Sequence, residues 1–245
     1  MSVKPGHPDK PGIGGHMGGV LATERLLSMI GLSRGQRALE IGCGSGYTAC
    51  LIAGKGIEVV AMDIDATMLE RAKARAAGRS VAENVSFIQA DAHHLPFKEK
   101  IFDAVIAESV LGYCDAGQVC GEAYRVIKSG GTFGDNELTY LQSPDPVLKA
   151  ILRRGFGISA LQEREWITVF EMTSFISVIS WTNSIRLTGQ FLSRMKTDGL
   201  RRTMAATWRF LNPSMVSTKM NPKVLAVALK YRSYVGYGLY AGKKP

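Results

Sequence analysis

The chain has 245 residues, 46% hydrophobic and 21% charged, with a net charge of +9. That is enough for one large domain carrying an insertion, and the composition excludes a disordered, collagenous or disulfide-stapled chain. Four scattered cysteines (Cys43, Cys50, Cys114, Cys120) with no C-x-x-C pair argue for reduced thiols and against a structural zinc, so no metal is expected; a Pro/Gly-rich start without an apolar core points to a cytoplasmic protein.

In chain order, residues 1–18 read as a flexible leader. "GGVLATERLLSMIG" then spaces Val20, Ala22/Thr23, Leu26/Leu27 and Ile30 as a helix stopped by Gly31. "RALEIG" predicts a short buried strand, "YTACLIAGKG" a helix, and "EVVAMDID" a second strand. "ATMLERAKARAAG" predicts a helix capped by Asp65. "NVSFIQAD" and "IFDAVIAES" are strands, "DAGQVCGEAYRVIK" a helix, "SGG" a turn and "TFGDNEL" a strand. Beyond Thr139, "SPDPVLKAILRRG" has Asp145 as N-cap and Pro146 at the first helical position. "EREWITVFEMTSF" follows as a helix, "ISVIS" as a strand and "YVGYGLYAGKK" as a last strand. Strands alternating with helices over short connections predict an α/β fold: a doubly wound, mostly parallel, seven-stranded sheet. Residues 19–183 with 231–245 would form it, and 184–230 would be a basic helical insertion.

The stretch "ALEIGCGSGYTA" places Gly42, Gly44 and Gly46 between the first strand and its helix, where backbone N–H groups and a helix N-terminus meet a ligand. A dinucleotide fingerprint would need a glycine at Tyr47, and no basic residue is present to grip a pyrophosphate. Glu40 would repel a phosphate and suits an amine-bearing ligand. Asp63 ends the second strand at the distance expected of an acid that binds ribose hydroxyls. Asp91, in "QADAHHLPF", can accept from an exocyclic amine, with Ala92 leaving room for a flat base. Glu108 ends the fourth strand.

The four blocks "LEIGCGSG", "VVAMDID", "QADAHHLPF" with "FDAVIAES", and "YRVIKSGG" resemble those of the class I S-adenosylmethionine-dependent methyltransferases over roughly residues 18–140. Within that superfamily the chain is most similar to the small-molecule group that includes ubiquinone and menaquinone methyltransferases. The resemblance implies a Rossmann-like methyltransferase fold with S-adenosylmethionine as cofactor. It implies Glu40, Gly42, Cys43, Gly44 and Gly46 around the methionine moiety, Asp63 and Ile64 at the ribose and adenine, Asp91 and Ala92 at the adenine, and Glu108 lining the same site. Ser129 departs from the proline usual before the Gly-Gly pair.

Methyl transfer requires alignment, exclusion of water and, for a protonated acceptor, a base. His16, His94, Tyr113 and Glu137 are the catalytic candidates. His16 belongs to the leader, His94 follows the adenine stretch, Tyr113 lies just past the fourth strand, and Glu137 ends the fifth. The expected activity is methyl transfer to a small molecule. Two alternatives stand beside it: a lipid or quinone acceptor at the membrane surface, and a non-catalytic S-adenosylmethionine-binding protein.

Residues 186–232 hold ten lysines and arginines against Asp198 alone, so this segment carries the whole net charge. Leu192, Met195, Leu200, Met204, Trp208 and Leu211 recur at near-helical spacing between the cations, as expected of a lid. The same pattern suits peripheral membrane contact. The absence of any RNA-binding module argues against nucleic acid.

Overall fold

The computed structural model describes residues 16–184, 230–231 and 233–245. Its centre is a sheet of strands β1 (Arg37–Ile41), β2 (Glu58–Asp63), β3 (Val85–Gln89), β4 (Phe102–Glu108), β5 (Ile127–Tyr140), β6 (Leu161–Gln162), β7 (Ile176–Ser184) and β8 (Val235–Lys243). Among the described residues, six α-helices accompany it: α1 (Gly19–Ile30), α2 (Tyr47–Ala53), α3 (Ala66–Gly78), α4 (Ala116–Val126), α5 (Pro146–Ile151) and α6 (Glu163–Met172). The sheet order is β3-β2-β1-β4-β5-β8-β7. Strands β1 to β5 are mutually parallel and β8 is antiparallel to both its neighbours. The seven-stranded doubly wound sheet expected from the sequence is this path. The two-residue β6 pairs with the end of β5 as an eighth strand, too short to leave a periodic signal.

Residues alternating along each strand face opposite layers, which gives two cores. Ala38, Val59, Ala61, Ala104, Ile106 and Leu239 pack under α1, α2 and α3. Leu39, Ile41, Val60, Val105, Phe133 and Tyr240 pack under α4 and α6. Phe133 stacks on Phe170 with centroids 5.0 Å apart, and both rings are fully buried with Trp166; each contributes about 1.5–3 kcal/mol through burial. The predicted α1 face is the buried one, and Gly31 closes the helix in the left-handed conformation with its N–H on Leu27 O. A Cβ on Gly134 would stand 2.6 Å from Ile30 Cγ2, so glycine lets α1 lie directly on β5.

The capping expectations hold at Asp65, which accepts from Thr67 N, and at Asp145, which accepts from Val147 N ahead of Pro146. "SGG" differs from a plain turn between elements. It lies inside β5, where the register jumps from Phe102↔Ile127 to Ala104↔Thr132, and Gly130 takes φ +79°. The expected leader up to residue 15 and the expected helices of the basic insertion up to residue 229 lie outside the described residues.

Candidate active site

The order of the sheet reverses at β1, which has β2 on one side and β4 on the other. Ligands in open α/β sheets bind outside the carboxyl ends at such a point. There Gly42, Gly44 and Gly46 all adopt left-handed φ of +68°, +51° and +75°. A Cβ on Gly42 would come within 2.5 Å of Val110 Cγ2, and one on Gly46 within 2.7 Å of Ala72 Cβ; one on Gly44 would meet nothing within 4 Å. The outer two glycines are therefore required by packing as well as by φ, whereas Gly44 borders open space. Asp63 fixes the loop: Oδ2 accepts from Gly44 N at 2.7 Å and Oδ1 from Asp65 N at 2.9 Å. One lone pair remains on each oxygen for a ligand. Cys43 is buried, with its backbone N–H on Met62 O at 2.9 Å, and burial raises its thiol pKa far above the ordinary value. Ile64, beside Asp63, is exposed.

Glu40 lies beneath this loop. It takes the N–H of Ala49 in the first turn of α2, one of the donors a helix leaves unpaired. Its Oε2 is buried with no hydrogen-bond partner among the described residues. Burial first, and the neighbouring Glu108 second, raise its carboxyl well above the usual range. It does not stand alone. The buried side-chain oxygens without a partner among the described residues belong to Glu40, Ser109, Asp135, Asn136 and Glu137, all near the carboxyl ends of β1, β4 and β5. Unpaired buried oxygens cost stability wherever they occur. They are concentrated at one edge of the sheet.

Glu108 is different, because its carboxylate is fully engaged. Thr48 Oγ1 donates to Oε1 at 2.8 Å, Asn136 Nδ2 to Oε2 at 3.1 Å, and Thr23 Oγ1 lies 3.1 Å from Oε2. His16 Nδ1 is 3.0 Å from Oε2, and its Nε2 is 3.0 Å from Thr23 Oγ1. Both ring nitrogens thus lead to one carboxylate, directly and through a hydroxyl. Asn136 also donates to Met17 O at 2.9 Å, so the end of the leader is tied to β4 and β5. Thr23, Thr48, Asp135 and Asn136 were not among the sequence candidates. The only available signal for the last two was the polar run "DNE" in a strand expected to be buried.

Asp91 is half-exposed. Its Oδ1 accepts from His93 N at 2.9 Å and pairs with His93 Nδ1 at 2.7 Å, which holds its carboxyl below the usual range. His93 in turn accepts from Asp115 N at 3.2 Å. Ala92 is half-buried against the α4 side. The His94 side chain makes no hydrogen bond with the described residues. Tyr113, half-exposed on the one-turn 3-10 helix Leu111–Tyr113, has its phenol pushed up by burial and by Glu137. Glu137 itself is buried. Desolvation lifts its carboxyl to about 7, against the pull of the N–H groups of Gly112, Val110, Leu111 and Leu138. Asp135, on the same face of β5, is pushed well up by burial and by Glu137.

Residues 39–134 match the methyltransferase domain family. The chain is 32% identical over 154 residues to an uncharacterized methyltransferase of Bacillus subtilis, covering 62% of this chain and 65% of that one. It is 30% identical over 125 residues to a ubiquinone/menaquinone biosynthesis C-methyltransferase of Pectobacterium carotovorum, covering 49% and 48%. Two solved structures share the fold at TM-score 0.72 and 21% identity. The [4+2]-cyclase SpnF is matched over 91% of this chain and 80% of its own. Phosphoethanolamine N-methyltransferase 2 of Haemonchus contortus, in complex with S-adenosylmethionine, is matched over 94% and 54%. The matches span less than two thirds of those two curated relatives' lengths. The match falls on the half of the α/β core that holds β1, β2, β3, β4 and the start of β5. The matched segment, residues 39–134, is similar to methyltransferase domains, and the likeness extends to a quinone-type C-methyltransferase.

Proposed function

We propose that this protein transfers a methyl group from S-adenosylmethionine to a small-molecule acceptor. The observation that carries the reading is the buried, unpartnered Glu40 Oε2 beneath a loop of three left-handed glycines. When bound, the cofactor supplies an electrophilic methyl group on a sulfonium. The residues present fit it: Glu40 has an acceptor to offer an amine, and Gly44 borders open space. Asp63 is oriented with spare lone pairs for ribose hydroxyls, and Ile64 supplies an apolar surface for the base. Ala92 leaves room for that base, and Asp91, held in place by His93, offers an acceptor to its exocyclic amine. Cys43 and Gly42 shape the loop.

On the acceptor side the candidates have different duties. His16 has both ring nitrogens committed, so we assign it, with Glu108, to positioning the leader. Glu137 keeps an unpartnered oxygen and a carboxyl lifted to about 7, the range in which a general base works best at neutral pH. Tyr113 stands close to it, and His94 stays on the adenine side. The solved [4+2]-cyclase shares the fold, and a fold alone does not fix an activity, so activity is tested directly. Calorimetry with S-adenosylhomocysteine tests the site: wild type should bind and Glu40→Gln should bind at least about tenfold more weakly. No heat from folded wild type would overturn the reading. Transfer of labelled methyl to a panel of phenols and quinols then separates an enzyme from a non-catalytic binding protein.

A further inference from the structure

We propose that α5 and the turn of π-helix after it, Leu152–Phe156, form a docking face for an anionic phospholipid surface. Val147 is 57% exposed and Phe156 53% exposed, on a segment that is anchored to the fold at a few points. Leu148 is buried, and Leu152 and Ile158 pack against Leu138 and Tyr140. Asp145 caps the helix and accepts from Tyr231 Oη at 2.8 Å. Gly157, at φ +72°, turns the chain back so that Ser159 N reaches Gly112 O at 2.7 Å. The exposed side chains are therefore presented by a fixed platform.

Beside Val147 lies a surface groove of about 600 Å³, lined by Pro146, Val147, Ala150, Ile151, Arg154 and Gly155. Its lining is apolar except for the single guanidinium of Arg154. Lys149, Arg153 and Arg154 are all exposed, and none has an ion-pair partner among the described residues. No acidic residue occurs from 146 to 162. Apolar side chains flanked by unpaired cations match the layering of an anionic bilayer surface, where acyl chains lie below phosphates.

Charge selects this occupant over the chain's own basic segment. That segment rejoins the described fold at Lys230 and Tyr231, beside Asp145, but its ten cations against one acid make it a poor cover for three more cations. The proposal stands without the methyl-transfer reading. If both hold, the membrane lies on the acceptor side of the site, because only residues 141–145 separate the end of β5 from α5.

The experiment is flotation of the full chain with vesicles of phosphatidylcholine alone and with phosphatidylglycerol added. Binding is expected only to the anionic vesicles, and it should fall away in high salt. Arg153→Gln with Arg154→Gln should weaken it about 30-fold, at the membrane energy of about 1 kcal/mol per basic residue. Phe156→Ser should weaken it several-fold at unchanged charge. All three positions are exposed, so circular dichroism and calorimetric binding of S-adenosylhomocysteine should match wild type. Absence of binding to anionic vesicles overturns the proposal. So does full binding by both variants, which would move the contact to the basic segment. Equal affinity of wild type for RNA and for vesicles would also overturn it, by showing a general polyanion surface.

Discussion

The two sides of the sheet's carboxyl edge are built from different materials. On the β1–β2 side, polar groups other than Glu40 Oε2 are spent on the backbone: Asp63 holds the N–H groups of Gly44 and Asp65, and Arg75 Nε holds Ser45 O at 2.8 Å. On the β4–β5 side they are spent on one another, in the knot of Glu108, Thr23, Thr48, Asn136 and His16, or left unpaired, as at Asp135 and Glu137. The first side fixes a shape, through Asp63, Arg75 and glycines packed close to Val110 and Ala72. The second is made of particular side chains and can be re-aimed by substitution. A site that takes one shared donor and a variable acceptor suits that division.

The sharpest way to break the comparison is within the loop. Gly46→Val places atoms against Ala72 at a left-handed φ and should cost about 3–4 kcal/mol, whereas Gly44→Ala, facing open space, should cost only about 1–2 kcal/mol. Urea denaturation measures both, and equal losses would show that the loop is not held by packing. On the other side, Glu108→Ala leaves the Thr23, Thr48 and Asn136 donors without their acceptor and should cost about 2–3 kcal/mol. Asp135→Leu should have the opposite sign. Removing a buried carboxyl with two unpartnered oxygens should stabilise the fold by about 1–2 kcal/mol, and a loss would mean that Asp135 has a partner beyond the described residues.

Glu137 gives a pH signature. Its folded pKa of about 7 lies above its ordinary value of 4.5, so between those values the native state holds a proton that the unfolded chain has released. Stability should therefore fall as pH rises through that window, by up to about 1.4 kcal/mol per pH unit, and level off above it. Glu137→Gln should flatten this slope; an unchanged slope would assign it to other groups. The smallest effect is expected at the Asp65 cap, where Asp65→Ala should cost about 1 kcal/mol and leave the site intact.

The same division explains what could be read from the sequence. Gly42, Gly44 and Gly46 were legible because a backbone held at positive φ admits few residues, and Asp65 and Asp145 because caps are local. Ile30 and Leu26 announced their face by helical spacing. The Glu108–His16 knot joins residues distant in the chain, and no spacing rule brings them together. Asp135 went unnoticed because a buried, unpaired acid contradicts the hydrophobic pattern that identifies a strand. His16 and Glu108 were selected as separate candidates, one for catalysis and one for the cofactor, and their contact gives both a meaning that neither position carried alone. β6 left no trace because two residues cannot alternate.

A crystal structure with S-adenosylhomocysteine bound tests the central claim most directly. The account predicts the ligand against residues 42–46, with Glu40 Oε2 now within hydrogen-bond distance of it and Asp63 on its ribose. A ligand seated elsewhere, or a Glu40 Oε2 still without a partner, would contradict it.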